Sequence, residues 1–391
     1  MTTLRRRTVL AGLFAPALAS AVGALLPGTA SAAVLPSSNF KLIRSADNSA
    51  YDALVNALPR ASVSAVLDSA NRTATPMSAS AGAAQAKNFA AGFDWQSGDN
   101  TVTEWIPQGI TTSADAYDAG TYEGRDVVLV SWYDSGTAPA KGVRISFVDR
   151  TTPTKPVYRH VLLVEPTTSG SNPSYKAISI HAGGLMWYGN LLYVVDTNNG
   201  LRVFDLNNIL QVSTANDGVI GRGSDGTYSA YGYLYVLPQK FSYQQSVPSG
   251  VTRMRFSFVS LDRTTSPDSI LVGEFDEVGD GSRLFRFNID YTNRELVATN
   301  GTATAAWAYE VNIRAMQGAA SVNGKYYISR SNPGAKGDLV TWVQGQSVKI
   351  NSAALPYGTE DFSYVKSRDE MWTLSEHAGS RHVLAVRASA F

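Results

Sequence analysis

The stretch Ser179-Ile-His-Ala-Gly-Gly-Leu-Met-Trp-Tyr-Gly-Asn-Leu-Leu-Tyr-Val-Val-Asp196 decides how the rest of the chain is read. Residues 180–187 are apolar and glycine-rich, which suits a buried strand. Tyr188-Gly189-Asn190 is a turn signal, and residues 191–195 are a β-branched and aromatic run. A second turn, Thr197-Asn198-Asn199-Gly200, leads into residues 201–205. The spacing predicts a three-stranded meander with short turns.

The same layout returns along the chain. Met316-Gln-Gly-Ala opens one copy, which continues through residues 325–330 to 339–343. Gly358-Thr-Glu-Asp-Phe opens another, followed by residues 370–376 and 383–386. Pro107-Gln-Gly-Ile opens an earlier one, followed by residues 127–133, 143–149 and 157–164. Residues 254–261, 270–275, 284–289 and 307–311 fill the gap between copies but lack the opening motif. One supersecondary unit repeated along the chain predicts an all-β fold, a single β-propeller. Five blades account for the strands, and six is the alternative count. The last blade supplies only three strands of its own, so residues 88–95 are expected to complete it and close the ring.

The chain has 391 residues, a net charge of +1 and no cysteine. Near-zero charge gives no electrostatic case for nucleic acid. Absence of cysteine excludes disulfides, thiolate metal sites and a cysteine nucleophile. The four histidines are His160, His181, His377 and His382. The sequence carries no G-x-S-x-G elbow, H-E-x-x-H or phosphate-binding loop.

The first segment differs from the rest. Arg5-Arg6-Arg7-Thr8-Val9-Leu10 precedes an Ala/Leu/Gly-rich apolar stretch, and Ala30-Ser31-Ala32 fits small-residue cleavage. Residues 1–32 are therefore expected to be a signal peptide of twin-arginine type. That implies export machinery as a partner, an extracellular location and no stable membrane insertion after cleavage. Residues 33–87 are expected to be an N-terminal extension, partly helical over 47–58 and 61–67, with 69–86 as a linker. Residues 88–391 are the expected propeller, and we expect a monomer.

The blade-opening motifs resemble a group of secreted bacterial propeller proteins of no settled activity. More loosely, the layout is similar to lactonase and strictosidine-synthase-like propellers. That likeness implies calcium on the channel axis, yet here Glu360 and Asp361 are the only carboxylates at an equivalent position. A divalent cation such as calcium is compatible with the sequence but not required by it.

Equivalent positions on inner strands converge on the channel. Gln108, His181, Gln317 and Glu360 or Asp361 hold that position in four blades, and Arg255 is the nearest polar residue in the remaining one. We assign His181, Glu360 and Asp361 as catalytic candidates, since imidazole and carboxyl groups move protons or hold cations. Gln108, Gln317 and Arg255 are ligand-binding candidates, and any metal is expected on Glu360 and Asp361. The competing reading of His181 is a satisfied core donor, and His377 reads as an exposed turn histidine. Asp196, Arg330 and Glu376, ending second strands, are expected to make blade-to-blade polar contacts. Two functions follow: an extracellular hydrolase or lactonase-like enzyme, or a non-catalytic carbohydrate or cell-envelope binding module. The second rests on tyrosines 228, 231, 233, 235 and 243, since aromatic faces bind sugars.

Cleavage is expected after Ala32 or close to it. The intact mass of the exported protein checks this; a mature terminus at Met1, or well beyond residue 40, would overturn it.

Overall fold

The structure, a computed structural model, describes residues 32–136, 140–279 and 281–391. The expected signal peptide thus lies outside the described residues, apart from Ala32. No helix among the described residues is long and apolar enough to cross a membrane.

The chain is a nearly all-β propeller. Its pairings trace five antiparallel runs. The first is Trp105–Thr112, Val127–Asp134, Val143–Asp149, Val157–Ser169 and Asn172–Ala177. The second is Leu185–Tyr188, Leu191–Asp196, Gly200–Asp205 and Tyr235–Ser246. The third is Phe258–Asp262, Ser269–Gly273, Arg283–Asp290 and Trp307–Glu310. The fourth is Met316–Val322, Lys325–Asn332, Ala335–Val343 and Lys349–Asn351. The fifth is Ser363–Val365, Glu370–Leu374 and His382–Arg387, onto which the N-terminal strand Phe89–Asp94 pairs. The first two runs join in one sheet where residues 162–164 pair in parallel with 236–238.

Packing at the axis explains the blade-opening glycines. A Cβ on Gly109 would lie 2.7 Å from the Gly184 carbonyl carbon, and one on Gly184 would lie 2.4 Å from the Val259 nitrogen. A Cβ on Gly318 would lie 2.5 Å from the Asp361 Cα. Backbone meets backbone at each point, so no side chain fits. Second-strand serines lock neighbouring runs together. Ser131 Oγ accepts from the Gly109 N–H (2.9 Å) and donates to the Ala182 carbonyl (2.8 Å). Ser329 Oγ donates to the Glu360 carbonyl (2.6 Å).

Residues 33–87 are folded against the propeller. Ala33–Leu35 pairs with Trp307–Glu310, and Lys41–Arg44 pairs with both Tyr235–Ser246 and Thr302–Thr304. Arg60–Ala61 pairs with Ile209–Gln211, and Arg72–Thr73 with Val157–Ser169. The arm thus covers outer edges that would otherwise offer unpaired N–H and C=O groups. Helices Tyr51–Ala57 and Val63–Asp68 fall where the apolar spacing placed them. The stretch read as a linker is instead ordered. Thr75–Pro76 pairs with Phe89–Asp94, and Ala79–Gln85 is a helix whose Ser78 hydroxyl accepts from the Ala81 N–H (3.2 Å). An Ala/Ser-rich composition reads as flexible, but alanine is also the best helix former and serine a strong N-cap.

Gly184→Ala is expected to destabilise the fold by about 1–3 kcal/mol or more, through overpacking against rigid backbone. Gly98→Ala, where nothing lies within 4 Å of the added Cβ, is expected to be neutral or stabilising. Thermal denaturation of the two variants compares them; equal midpoints would show that the axis can yield.

Candidate functional site

The inner strands begin around a funnel of about 800 Å³, and Gln108, His181, Arg255, Gln317, Glu360 and Glu376 all line it. Five of the six sequence candidates therefore meet there. Asp361 does not. Adjacent residues of an extended chain point in opposite directions, so Glu360 opens onto the funnel while Asp361 turns into the axis, fully buried. Asp361 Oδ2 accepts from the N–H groups of Ile110 and Leu185, each at 3.2 Å. Asp361 Oδ1 has no hydrogen-bond partner. Burial drives the Asp361 pKa well above the carboxylate range, with the Phe362, Ile110 and Leu185 amides opposing. The catalytic and metal-ligating assignments of Asp361 are corrected accordingly: it stitches the fifth run to the first and second.

His181 reaches the funnel from a bend rather than a strand. Pairing in this run begins only at Leu185, not at residue 180, because Ala182 takes a left-handed φ of +53° and turns the chain at the axis. The His181 ring lies against Tyr133, 4.4 Å between centroids at 34°. Its side chain is exposed to the funnel, and partial desolvation by the surrounding wall lowers its pKa, favouring the neutral ring. Its ring makes no hydrogen bond to another described residue. The satisfied core histidine is a different one, His160. Its Nδ1 bonds Ser146 Oγ (2.9 Å) and its Nε2 bonds Asp99 Oδ1 (3.1 Å). Burial, with Arg144 beside it, lowers its pKa to about 3.

The carboxyl groups set the electrostatics. Glu360 is 2% exposed, lines the funnel, and its carboxyl has no protein hydrogen-bond partner among the described residues. Burial, with Glu376 and Asp361 nearby, raises its pKa well above the carboxylate range, which favours its protonated form. Glu376, absent from the sequence candidates for the site, also lines the funnel. Its Oε2 accepts from Gln108 Nε2 at 2.9 Å. Burial raises its pKa, opposed by His377, Gln108 and Arg381. The Gln108–Glu376 bond is a contact between runs, as expected of that ring position. Asp196 and Arg330 depart from the expectation, since each pairs within its own run: Asp196 with Arg202 (2.9 Å) and Arg330 with Asp338 (2.5 Å).

Gln108 donates both amide hydrogens to protein, the second to the Pro107 carbonyl (3.0 Å), leaving Oε1 for a ligand. Gln317 makes only a long contact to Ser331 Oγ (3.5 Å). Arg255 precedes the strand Phe258–Asp262; its N–H donates to Glu274 (2.8 Å) and its side chain is exposed. His377 is half-buried, its ring tilted at 37° against Tyr357 with 4.2 Å between centroids and its Nδ1 3.9 Å from Glu376. No group of three or more His, Asp or Glu among the described residues is arranged to hold a metal ion. Glu360 and Asp361 diverge, so the residues present do not fit an axial calcium.

The sequence matches no known family model and no curated protein. Solved structures give distant likenesses. Sqt1 from Chaetomium thermophilum is 9% identical with a TM-score of 0.32, over 70% of this chain and 57% of that one. The chain therefore spans little more than half of Sqt1. The Cps50 (Swd1) β-propeller domain of Myceliophteria thermophila is 10% identical with a TM-score of 0.33, over 73% and 98%. A quinonprotein alcohol dehydrogenase-like protein from Bacteroides thetaiotaomicron is 9% identical with a TM-score of 0.27, over 78% and 75%.

His181→Ala is expected to change stability by less than about 1 kcal/mol, because the ring holds no buried partner. Denaturant unfolding checks this; a loss of several kcal/mol would show that His181 is a core residue.

Proposed function

We propose that the funnel is an acid–base site that hydrolyses a C–O bond, glycosidic or lactone, in a small hydroxylated substrate. The observation that carries this reading is the Glu360 carboxyl: buried, unpartnered among the described residues and facing the cavity, its pKa raised by burial beside a second carboxyl that Gln108 anchors. A carboxylic acid kept neutral at pH 7 is suited to protonate a departing oxygen. Glu376 is the complementary base. It takes a proton from water as the water oxygen attacks carbon; the C–O bond breaks, and the Glu360 proton moves to the leaving oxygen. Solvent then returns a proton to Glu360 and removes one from Glu376. Neutral His181 accepts or donates a hydrogen bond to substrate, while Gln317, Arg255 and the Gln108 carbonyl orient hydroxyl groups.

We further propose that the protein works outside the cytoplasm, after twin-arginine export and removal of residues 1–32. The basic, apolar and small-residue order of that segment supports this.

Glu360→Gln is expected to lower kcat by roughly 10²–10⁴-fold on whichever chromogenic glycoside or lactone the protein cleaves. It also has a signature independent of substrate. The folded-state pKa of Glu360 is raised above its unfolded value, so its contribution to stability is full below the ordinary glutamate range. That contribution is lost as pH rises through the folded value. Melting temperature should therefore fall on the alkaline side in the parent protein and fall less in Glu360→Gln. Parallel pH curves for the two proteins, with activity retained, would overturn the assignment.

A further inference from the structure

The tyrosine group picked out in the sequence lies apart from the funnel, and its members divide. Tyr228 stacks on Tyr175 and Tyr243 on Tyr193, at 6.1 and 6.3 Å, as packing partners. Tyr231 and Tyr233 instead border a separate cavity of about 220 Å³, together with Asn71, Arg72, Lys141 and Arg159. None of these six residues lines the funnel.

Two observations make this cavity unlike ordinary surface. The first is its charge. Arg159 spends Nε on the Ser69 carbonyl, and its terminal nitrogens meet no acceptor among the described residues. The Lys141 ammonium has no acceptor among them either. Arg72 pairs with Asp99 (3.0 Å), but the same carboxylate also serves Arg144 (2.8 Å), Tyr158 (2.7 Å) and His160 (3.1 Å). The carboxylate of Asp134, which lies near Tyr231, accepts from the N–H groups of Gly136 and Lys141. Positive charge is therefore left over: the Arg159 guanidinium lies over the Tyr235 ring at 5.7 Å, and neither its terminal nitrogens nor the Lys141 ammonium meets a hydrogen-bond acceptor among the described residues.

The second observation is backbone conformation. Tyr231 and Gly232 have φ values of +50° and +80°, and the Tyr233 N–H donates to the Ala230 carbonyl (2.8 Å). This is a two-residue turn whose first central position favours Asn, Asp or Gly. A tyrosine is disfavoured there, and such strain concentrates at ligand sites. The turn sets two tyrosines beside unpaired cations.

We propose that this cavity is a second ligand site, taking the acidic ring of an anionic sugar. Arg159 and Lys141 receive the acidic group, which guanidinium hydrogens grip with directional bonds. Asn71 serves ring hydroxyls, and a tyrosine face takes the apolar face of the ring. The site stands independently of the hydrolytic reading of the funnel.

Calorimetric titration of the mature protein tests this with methyl β-glucuronide, glucose 6-phosphate, methyl β-glucoside and sodium sulfate. Binding of an acidic sugar, at least about tenfold tighter than the neutral glucoside and than sulfate, supports the proposal. The glucuronide and the phosphate together report which acid the site takes. Arg159→Gln should weaken that binding about tenfold. Tyr231→Gly should weaken it too while leaving the melting temperature unchanged or raised, since glycine relieves the strained φ. Glu360→Gln should bind as the parent does, even if funnel activity is lost. Absence of binding overturns the proposal, as does equal affinity for the glucoside. Sulfate binding as tightly as the sugar acid means an anion site only. Binding lost in Glu360→Gln but kept in Arg159→Gln would place the ligand in the funnel. A lower melting temperature in Tyr231→Gly with affinity kept would make Tyr231 a packing residue.

Discussion

The molecule depends on how closely backbones can approach at the propeller axis. Strands of the first, second and fifth runs meet where the Asp361 carboxylate accepts the Ile110 and Leu185 N–H groups. Around that point Gly109, Gly184 and Gly318 leave no space for a Cβ. An axis without side chains would strand backbone donors away from water, and each would cost about as much as a lost hydrogen bond. One carboxyl oxygen, Asp361 Oδ2, satisfies two of them from two different runs. The serine links from Ser131 to Ala182 and from Ser329 to Glu360 extend the same solution outward.

That constraint also shapes the chemistry of the funnel. With Asp361 committed to the axis, its neighbour Glu360 must face the other way, into the cavity. It is buried by the same crowding and receives no hydrogen bond in compensation among the described residues, which raises its pKa and favours the neutral acid. Glu376 lies close enough to add repulsion, and Gln108 holds it in place from the first run. The two carboxyl groups thus sit in different surroundings, one unpartnered among the described residues and one anchored by Gln108.

The N-terminal arm answers a different problem. A propeller's outer strands are edges, and exposed edges recruit other chains. Residues 33–76 pass along the outer strands of four of the five runs, pairing with residues 307–310, 235–246, 157–169 and, through Phe89–Asp94, the C-terminal run. Lys41–Arg44 lies between Tyr235–Ser246 of the second run and Thr302–Thr304, which precedes the last strand of the third run, and pairs with both. Most of the arm's pairings are non-local, and those of Ala33–Leu35, Lys41–Arg44 and Arg60–Ala61 join residues more than a hundred positions apart, so the arm adds to stability only once the runs it spans are formed.

The sequence by itself determined the repeat, the inner-strand starts and the strand that completes the C-terminal run. All three follow from short-range signals: period-two apolar runs, turn residues, and glycine at fixed offsets. It likewise determined that Gln108, His181, Arg255, Gln317 and Glu360 share one end of the channel, because equivalent positions in a ring converge. Only the tertiary structure decided which member of the Glu360–Asp361 pair faces the cavity. The two differ by one residue, and a one-residue choice of register in an extended chain exchanges inside for outside. It also decided that Glu376 turns inward, because that depends on Gln108, distant in sequence and adjacent only after closure. The order of residues 69–86 was equally hidden, since an Ala/Ser/Thr-rich stretch becomes helix and strand only against the surface that receives it.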